Sequence, residues 1–145
     1  MKIYLDANGI EGLAGKLASL GDRAQAAVED MLEAGSSFMI DGLKRGVTEY
    51  GHDAPGKSGR ATGGLKESIG LKGGKIKATN EGGEAIITFK GTDARGQRFG
   101  EIAASLNYGT SSIPADHWID NTVELIKPLA QDAMAQALDR HLAKG

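Results

Sequence analysis

The sequence predicts an α+β fold, long helices packed on one face of a small antiparallel sheet, and three features carry that expectation. Two long stretches, beginning near Asp22 and near Asp116, repeat apolar residues at helical spacing. Between them, Leu71 to Ala78 and Glu84 to Phe89 alternate on either side of Asn80-Glu81-Gly82-Gly83, the pattern of a hairpin. At the start, Lys2-Ile3-Tyr4-Leu5 supplies a short leading strand.

After that strand, Asp6 or Asn8 is positioned to cap a short helix carrying Ile10, Leu13, Leu17 and Leu20, which Gly21 ends. Asp22 then caps a long helix with a buried stripe of Ala24, Ala27, Val28, Met31, Leu32, Phe38, Met39, Leu43 and Val47. Gly35, Gly42 and Gly46 fall on the same stripe. A glycine costs about 1 kcal/mol against alanine inside a helix, so either another element approaches the backbone closely there or the helix breaks or frays after Gly42. Thr62 has the chemistry of an N-cap for a short helical turn through Leu65, Ser68 and Ile69.

In the hairpin, Ile87 and Phe89 alternate with Ile86 and Thr88 and form the expected core side. Gly91 to Gly100 is polar, carries Arg95 and Arg98, and reads as a long mobile loop. Glu101 to Tyr108 is a short helix or strand, ended by Gly109 and the turn-rich Thr110-Ser111-Ser112-Ile113-Pro114. The last helix starts near Asp116 and aligns Trp118, Ile119, Val123, Ile126, Leu129, Ala130, Ala133, Met134, Ala137, Leu138 and Leu142, with a kink expected at Pro128.

A chain of 145 residues is one domain by length, 1–145, in which 1–21 is an N-terminal strand and short helix. Its 17 basic and 19 acidic residues nearly cancel, which removes any broad electrostatic footprint for nucleic acid while leaving room for a local basic surface. There is no cysteine, so disulfides and thiolate metal sites are excluded and a reducing cytoplasm fits. His52, His117 and His141 lie far apart, and none has a second ligand at metal-site spacing. No stretch has the length of a membrane span or a signal core, which predicts a soluble protein. Twenty-two glycines against seven aromatics imply a loop-rich chain that leans on a partner or on its own copies.

One motif invites an enzymatic reading. Gly51 to Ser58 matches the phosphate-loop pattern G-x-x-x-x-G-K-[ST], with Lys57 at the phosphate-binding position. Such a loop needs a strand to deliver it and a helix beginning at its end, so that free N–H groups face the phosphates. Residues 22–50 instead have helical spacing, and glycines crowd the segment after Ser58. A small nucleotide-binding protein is therefore kept as the alternative to a glycine-rich loop with an exposed lysine. Ser58 and Ser68 have no histidine and acid at connected spacing, and Glu29, Asp30 and Glu33 read as an acidic helix surface. Asp116-His117-Trp118 is either a catalytic pair beside an aromatic wall or a helix cap followed by a core tryptophan. No catalytic residue, metal or cofactor is assigned.

Two further blocks carry a different message. Thr62-Gly63-Gly64-Leu65-Lys66-Glu67-Ser68-Ile69 has the form T-G-x-L-x-x-S-I, and some way downstream Tyr108-Gly109-Thr110 leads into Ile113-Pro114-Ala115-Asp116-His117-Trp118 and a long helix. This order resembles the tail-component family of long-tailed, lambda-like bacteriophages, whose small proteins serve head–tail joining and tail completion. The resemblance spans about residues 22 to 142. The family has a proline before the first block, a Glu-aromatic-Gly-Thr block after the hairpin and Pro-Ala-x-Pro-Phe at the last helix. Here Pro55 stands further from Thr62, Asn107 replaces the glutamate, and His117-Trp118 replaces Pro-Phe.

The resemblance implies a non-enzymatic virion structural protein of a phage or prophage. It would act at the neck or the head-proximal tail end, as a subunit of a ring of its own copies, a hexamer or larger, beside other neck or tail proteins. It would reside in the host cytoplasm before assembly and in the virion afterwards. The two loops, with Lys57 and Arg60 in one and Arg95 and Arg98 in the other, are the candidate contacts. Arg95 and Arg98 either face packaged DNA through nonspecific phosphate attraction or are simply solvated.

Overall fold

A computed structural model describes residues 1–52 and 64–144. Pro55, Lys57, Arg60, Thr62 and Gly63 lie outside the described residues, as do the Thr62 cap and most of the phosphate-loop match. The chain runs β1 (Lys2–Asp6), a 3-10 turn (Ala7–Gly9), α1 (Leu13–Leu20), a 3-10 turn (Gly21–Arg23), α2 (Ala24–Glu49), α3 (Gly64–Ser68), β2 (Ile69–Thr79), β3 (Gly82–Phe89), α4 (Phe99–Tyr108) and α5 (Trp118–Ala143). The expected α+β architecture is present: helices pack on a three-stranded antiparallel sheet of order β1-β3-β2.

Strand alternation decides which face the helices cover. Ile3 pairs with Ile87, Leu5 with Ala85 and Ile69 with Phe89, and all six side chains are buried. Their outward neighbours Lys2, Tyr4 and Asp6 are exposed. The inward set belongs to two apolar clusters laid along α2, with Leu71 packed against both.

Several boundaries differ from the sequence expectation. Ile69 ends no helical turn; it opens β2 opposite Phe89, because a β-branched side chain at that register enters the core. The hairpin turn is Asn80-Glu81 alone, since Gly82 and Gly83 pair with Thr79 and Ala78. A bulge between Leu71 and Ile76, with Gly73 and Gly74 at φ 64° and 68°, returns Ile76 to the inward register opposite Ala85.

Capping also differs. Asp6 caps the first 3-10 turn through Asn8 N–H at 2.7 Å, whereas α1 starts after Gly12 without a side-chain cap. Asp22 lies inside the second 3-10 turn and does not cap α2; the Gly21 carbonyl accepts from Ala24 N–H instead.

The glycine stripe on α2 is a contact line with α5. A Cβ on Gly42 would lie 2.6 Å from Ile126 Cγ1, one on Gly46 2.7 Å from Thr122 Oγ1, and one on Gly35 2.8 Å from Met134 Cγ. The helices therefore run antiparallel at close range, and α2 continues to Glu49 without breaking after Gly42. Phe38 leaves the predicted stripe and is 44% exposed, and Leu129 is 47% exposed. Ser36 is buried in the stripe, its hydroxyl donating to the Leu32 carbonyl. α5 is continuous through Pro128, which sits on its exposed side.

Candidate functional site

The second motif block builds a junction where α4 ends, α5 begins and the C-terminal end of α2 arrives. Tyr108 closes α4, and Gly109 turns the chain with φ 81° and ψ 167°, a conformation open essentially to glycine. Its neighbours impose the same choice: a Cβ there would stand 2.8 Å from Ala115 N and 3.0 Å from the Ile113 carbonyl. Thr110 Oγ1 accepts from the N–H groups of Ser112 and Ile113 at 3.2 and 3.1 Å, and Thr110 N–H donates to the Ile113 carbonyl at 2.8 Å. Tyr-Gly-Thr and Ile-Pro-Ala thus form one folded turn.

That turn delivers α5 against the end of α4. Asp116 and His117 donate backbone N–H groups to the carbonyls of Leu106 and Asn107, at 3.1 and 3.0 Å. Asn107, fully buried, then spends its side chain on the first turn of α5. Its Oδ1 accepts from Ile119 N–H at 2.9 Å and Asp120 N–H at 3.2 Å, and its Nδ2 donates to Asp120 Oδ2 at 3.0 Å. These are the orphan donors of a helix start, capped here from another helix. His117 holds the N-cap position at φ 55°, the sole non-glycine positive φ among the described residues. A proline could neither adopt that angle nor donate to the Asn107 carbonyl. Asn107 and His117 are two of the departures from the tail-component pattern, and they touch.

The third side of the junction comes from the segment that follows α2. His52 Nε2 lies 2.6 Å from Asp116 Oδ2, while Asp116 Oδ1 accepts from Trp118 N–H at 3.0 Å. The His52 ring stacks on Tyr50 and meets Trp118 edge-on at 5.8 Å. Tyr50 in turn accepts a hydrogen bond from Asn121 at 3.1 Å. Trp118 is fully buried, donates to the Ala103 carbonyl and packs edge-on against Phe89. Of the two readings of Asp116-His117-Trp118, the structure places Asp116 as a cap and Trp118 in the core; the aspartate's histidine partner is His52, with His117 set 3.3 Å from Asp120. Both Asp116 oxygens are engaged, so the arrangement acts as a clamp between the segment that follows α2 and the start of α5.

Other candidates occupy different places. Leu65, Ser68 and Ile69 are buried where α3 enters the sheet, and the Ser68 hydroxyl donates to the Leu65 carbonyl at 2.6 Å. Tyr108, Thr110, Pro114 and Ala115 are exposed on the turn. Arg95 and Arg98 are exposed on a separate segment that proves to be a tight turn, against the expected long mobile loop. Asp93 Oδ1 accepts from Arg95 and Gln97 N–H groups at 2.9 Å, Thr92 bridges to Arg98, and α4 already starts at Phe99. Sequence reasoning missed the His52–Asp116 pair and a second one, His141 with Asp30 at 2.5 Å, which joins the far ends of α5 and α2. Their separations of 64 and 111 residues leave no local signal.

Among the described residues no cluster of three or more His, Cys, Asp or Glu side chains could hold a metal ion, and no helix is long and apolar enough to cross a membrane. Compared with known proteins, the chain matches no family model, no curated protein and no solved structure.

Proposed function

We propose that this chain is a non-enzymatic structural protein of a bacteriophage or prophage, acting in virion assembly at the head–tail joint or head-proximal tail end as a subunit of a homo-oligomeric ring. The carrying observation is the convergence of the second motif block. Gly109 packs on Ala115, Thr110 ties the turn, and Trp118, where the family has phenylalanine, fills the core beneath it, so the block that resembles the tail-component family folds into one junction between α4 and α5. The Asn107 and His117 departures lie side by side, joined by a backbone hydrogen bond.

The flanks of Gly51–Ser58 speak against nucleotide binding. The element before it is the 26-residue helix α2, where a phosphate loop requires a strand, and the next described helix begins only at Gly64.

Mass measurement of the full chain in solution, with a search for it in purified tails, tests the reading. A ring in solution and copies in the particle are expected. A strict monomer absent from particles, with tails assembling normally without it, overturns the reading, as does magnesium-dependent ATP or GTP binding that is lost in Lys57→Ala.

A further inference from the structure

The two edges of the sheet are built differently. At one edge, β2 is broken by the bulge at Gly73 and Gly74 and carries Lys72, Lys75 and Lys77, an irregular and like-charged border that resists a second copy of itself. At the other edge, β1 has no bulge, and Lys2 to Asp6 pair one for one with Thr88 to Glu84 of β3. A strand with a single neighbour points alternate N–H and C=O groups away from it. Among the described residues, the backbone of Ile3, Tyr4 and Leu5 has no hydrogen-bond partner other than β3.

Helix α5 stands back from this edge. A groove lies between Tyr4 and Leu5 on the strand and Val123 and Lys127 on the helix, with Met39 and Met134 buried along it. The chain after α2 returns through α3 into β2, across the sheet from β1.

The occupant that fits is written in β1 itself. Lys2-Ile3-Tyr4-Leu5-Asp6 has opposite charges at its ends, an apolar residue inside each and Tyr4 at its centre. Turned end for end about Tyr4, the segment matches its own copy, with Lys2 opposite Asp6, Ile3 opposite Leu5 and Tyr4 opposite Tyr4. The pleat keeps the faces consistent, since Lys2, Tyr4 and Asp6 are exposed on the outward face while Ile3 and Leu5 are buried on the inward one. Asp6 holds the Asn8 N–H with Oδ1, which leaves Oδ2 to meet an ammonium group. A parallel pairing in register would instead set Lys2 beside Lys2 and Asp6 beside Asp6, and a slip of one residue would set inward against outward side chains.

We propose that β1 docks a second copy of this chain, edge to edge and antiparallel about a two-fold axis through Tyr4, so that Lys2 of each copy meets the partner's Asp6 and the two three-stranded sheets become one. The interface is isologous, with both helical layers on the same face of the joined sheet. It goes beyond the ring-subunit reading: a two-fold contact joins copies in pairs, whether those copies are free or already belong to rings. A strand of another protein would use the same backbone groups, but the self-matching charges single out a second copy.

Charge reversal tests the register, with mass read by light scattering on the full chain and folding verified by circular dichroism. Lys2→Glu faces each Asp6 with a second carboxylate and Asp6→Lys faces each Lys2 with a second ammonium group, so each is expected to weaken pairing by about a hundredfold. Lys2→Glu/Asp6→Lys in one chain restores opposite charges and is expected to regain the mass of the wild type, as is an equal mixture of the two single variants. Because Asp6 also caps the first 3-10 turn, a second readout leaves it in place. The chain has no cysteine, so a short bis-maleimide is expected to join Tyr4→Cys to its own copy at the axis, and not to join Lys2→Glu/Tyr4→Cys. A mass that Lys2→Glu leaves unchanged overturns the contact while the ring reading stands. Folded double-reversal chains that fail to regain mass also overturn it, as does cross-linking of Tyr4→Cys that Lys2→Glu does not reduce, or cross-linking in a lysate to a different protein alone. A wild type that is monomeric at every concentration removes the contact, and one also absent from tails removes the ring reading with it.

Discussion

Asn107 Oδ1 accepts the N–H of Ile119 at 2.9 Å, so the buried first turn of the last helix is closed by a side chain from the helix before it. Asn107→Ala leaves that buried donor without its acceptor and is expected to cost about 1–3 kcal/mol in urea unfolding. Asn107→Asp keeps the acceptor but faces Asp120 with a second carboxylate, so an intermediate loss is expected, recovered by Asp120→Asn. An alanine variant as stable as the wild type refutes the cap.

His117 pays a conformational cost at φ 55° that glycine does not. His117→Gly is expected to match the wild type or to gain up to about 1 kcal/mol, after its own unfolded-state entropy. His117→Pro is expected to lose about 3 kcal/mol, because its φ is locked at negative values and its N–H is gone. Thermal denaturation ranks the three, and a stable proline variant shows that this backbone is misassigned.

His52, just after α2, and Asp116, just before α5, join the two helix ends while both remain partly exposed, at 13% and 29% of the side chain. A double-mutant cycle with His52→Ala and Asp116→Ala is expected to give a coupling of about 0.5–1.5 kcal/mol, below the range for fully buried pairs. Asp116→Ala alone should be the costlier single change, since it also frees Trp118 N–H. Purely additive losses mean that the pair does not act as a clamp.

Gly42→Ala sets helix propensity against space. Alanine improves an ideal helix by about 1 kcal/mol, but its Cβ would meet Ile126 Cγ1 at 2.6 Å, and overpacking costs about 1–3 kcal/mol. A net loss of stability is expected. In the Gly42→Ala background, Ile126→Ala should cost less than in the wild type, because the intruding atoms are gone. Gly42→Ala with a raised melting temperature removes the close-contact account of the glycine stripe.

Local patterning made most of the architecture legible. Apolar spacing marked α2 and α5, alternation marked β3 and its inward residues, and the glycines on the α2 stripe announced a close neighbour without saying which one. What failed was local chemistry outvoted by its surroundings. Asp22 is a good cap by residue type, yet a preceding 3-10 turn already satisfies the helix start. Phe38 fits the stripe by spacing, yet α5 packs against glycines beside it and leaves the ring outside.

The sequence by itself determined the two long helices, the hairpin and the turn-forming residues after Tyr108, because those depend on periodicity and on backbone preferences that act within a few residues. Only the tertiary structure decided that Asn107 caps α5 and that His52 finds Asp116. Those facts join residues distant along the chain, and which of them meet is set by how whole elements pack, which no local pattern encodes.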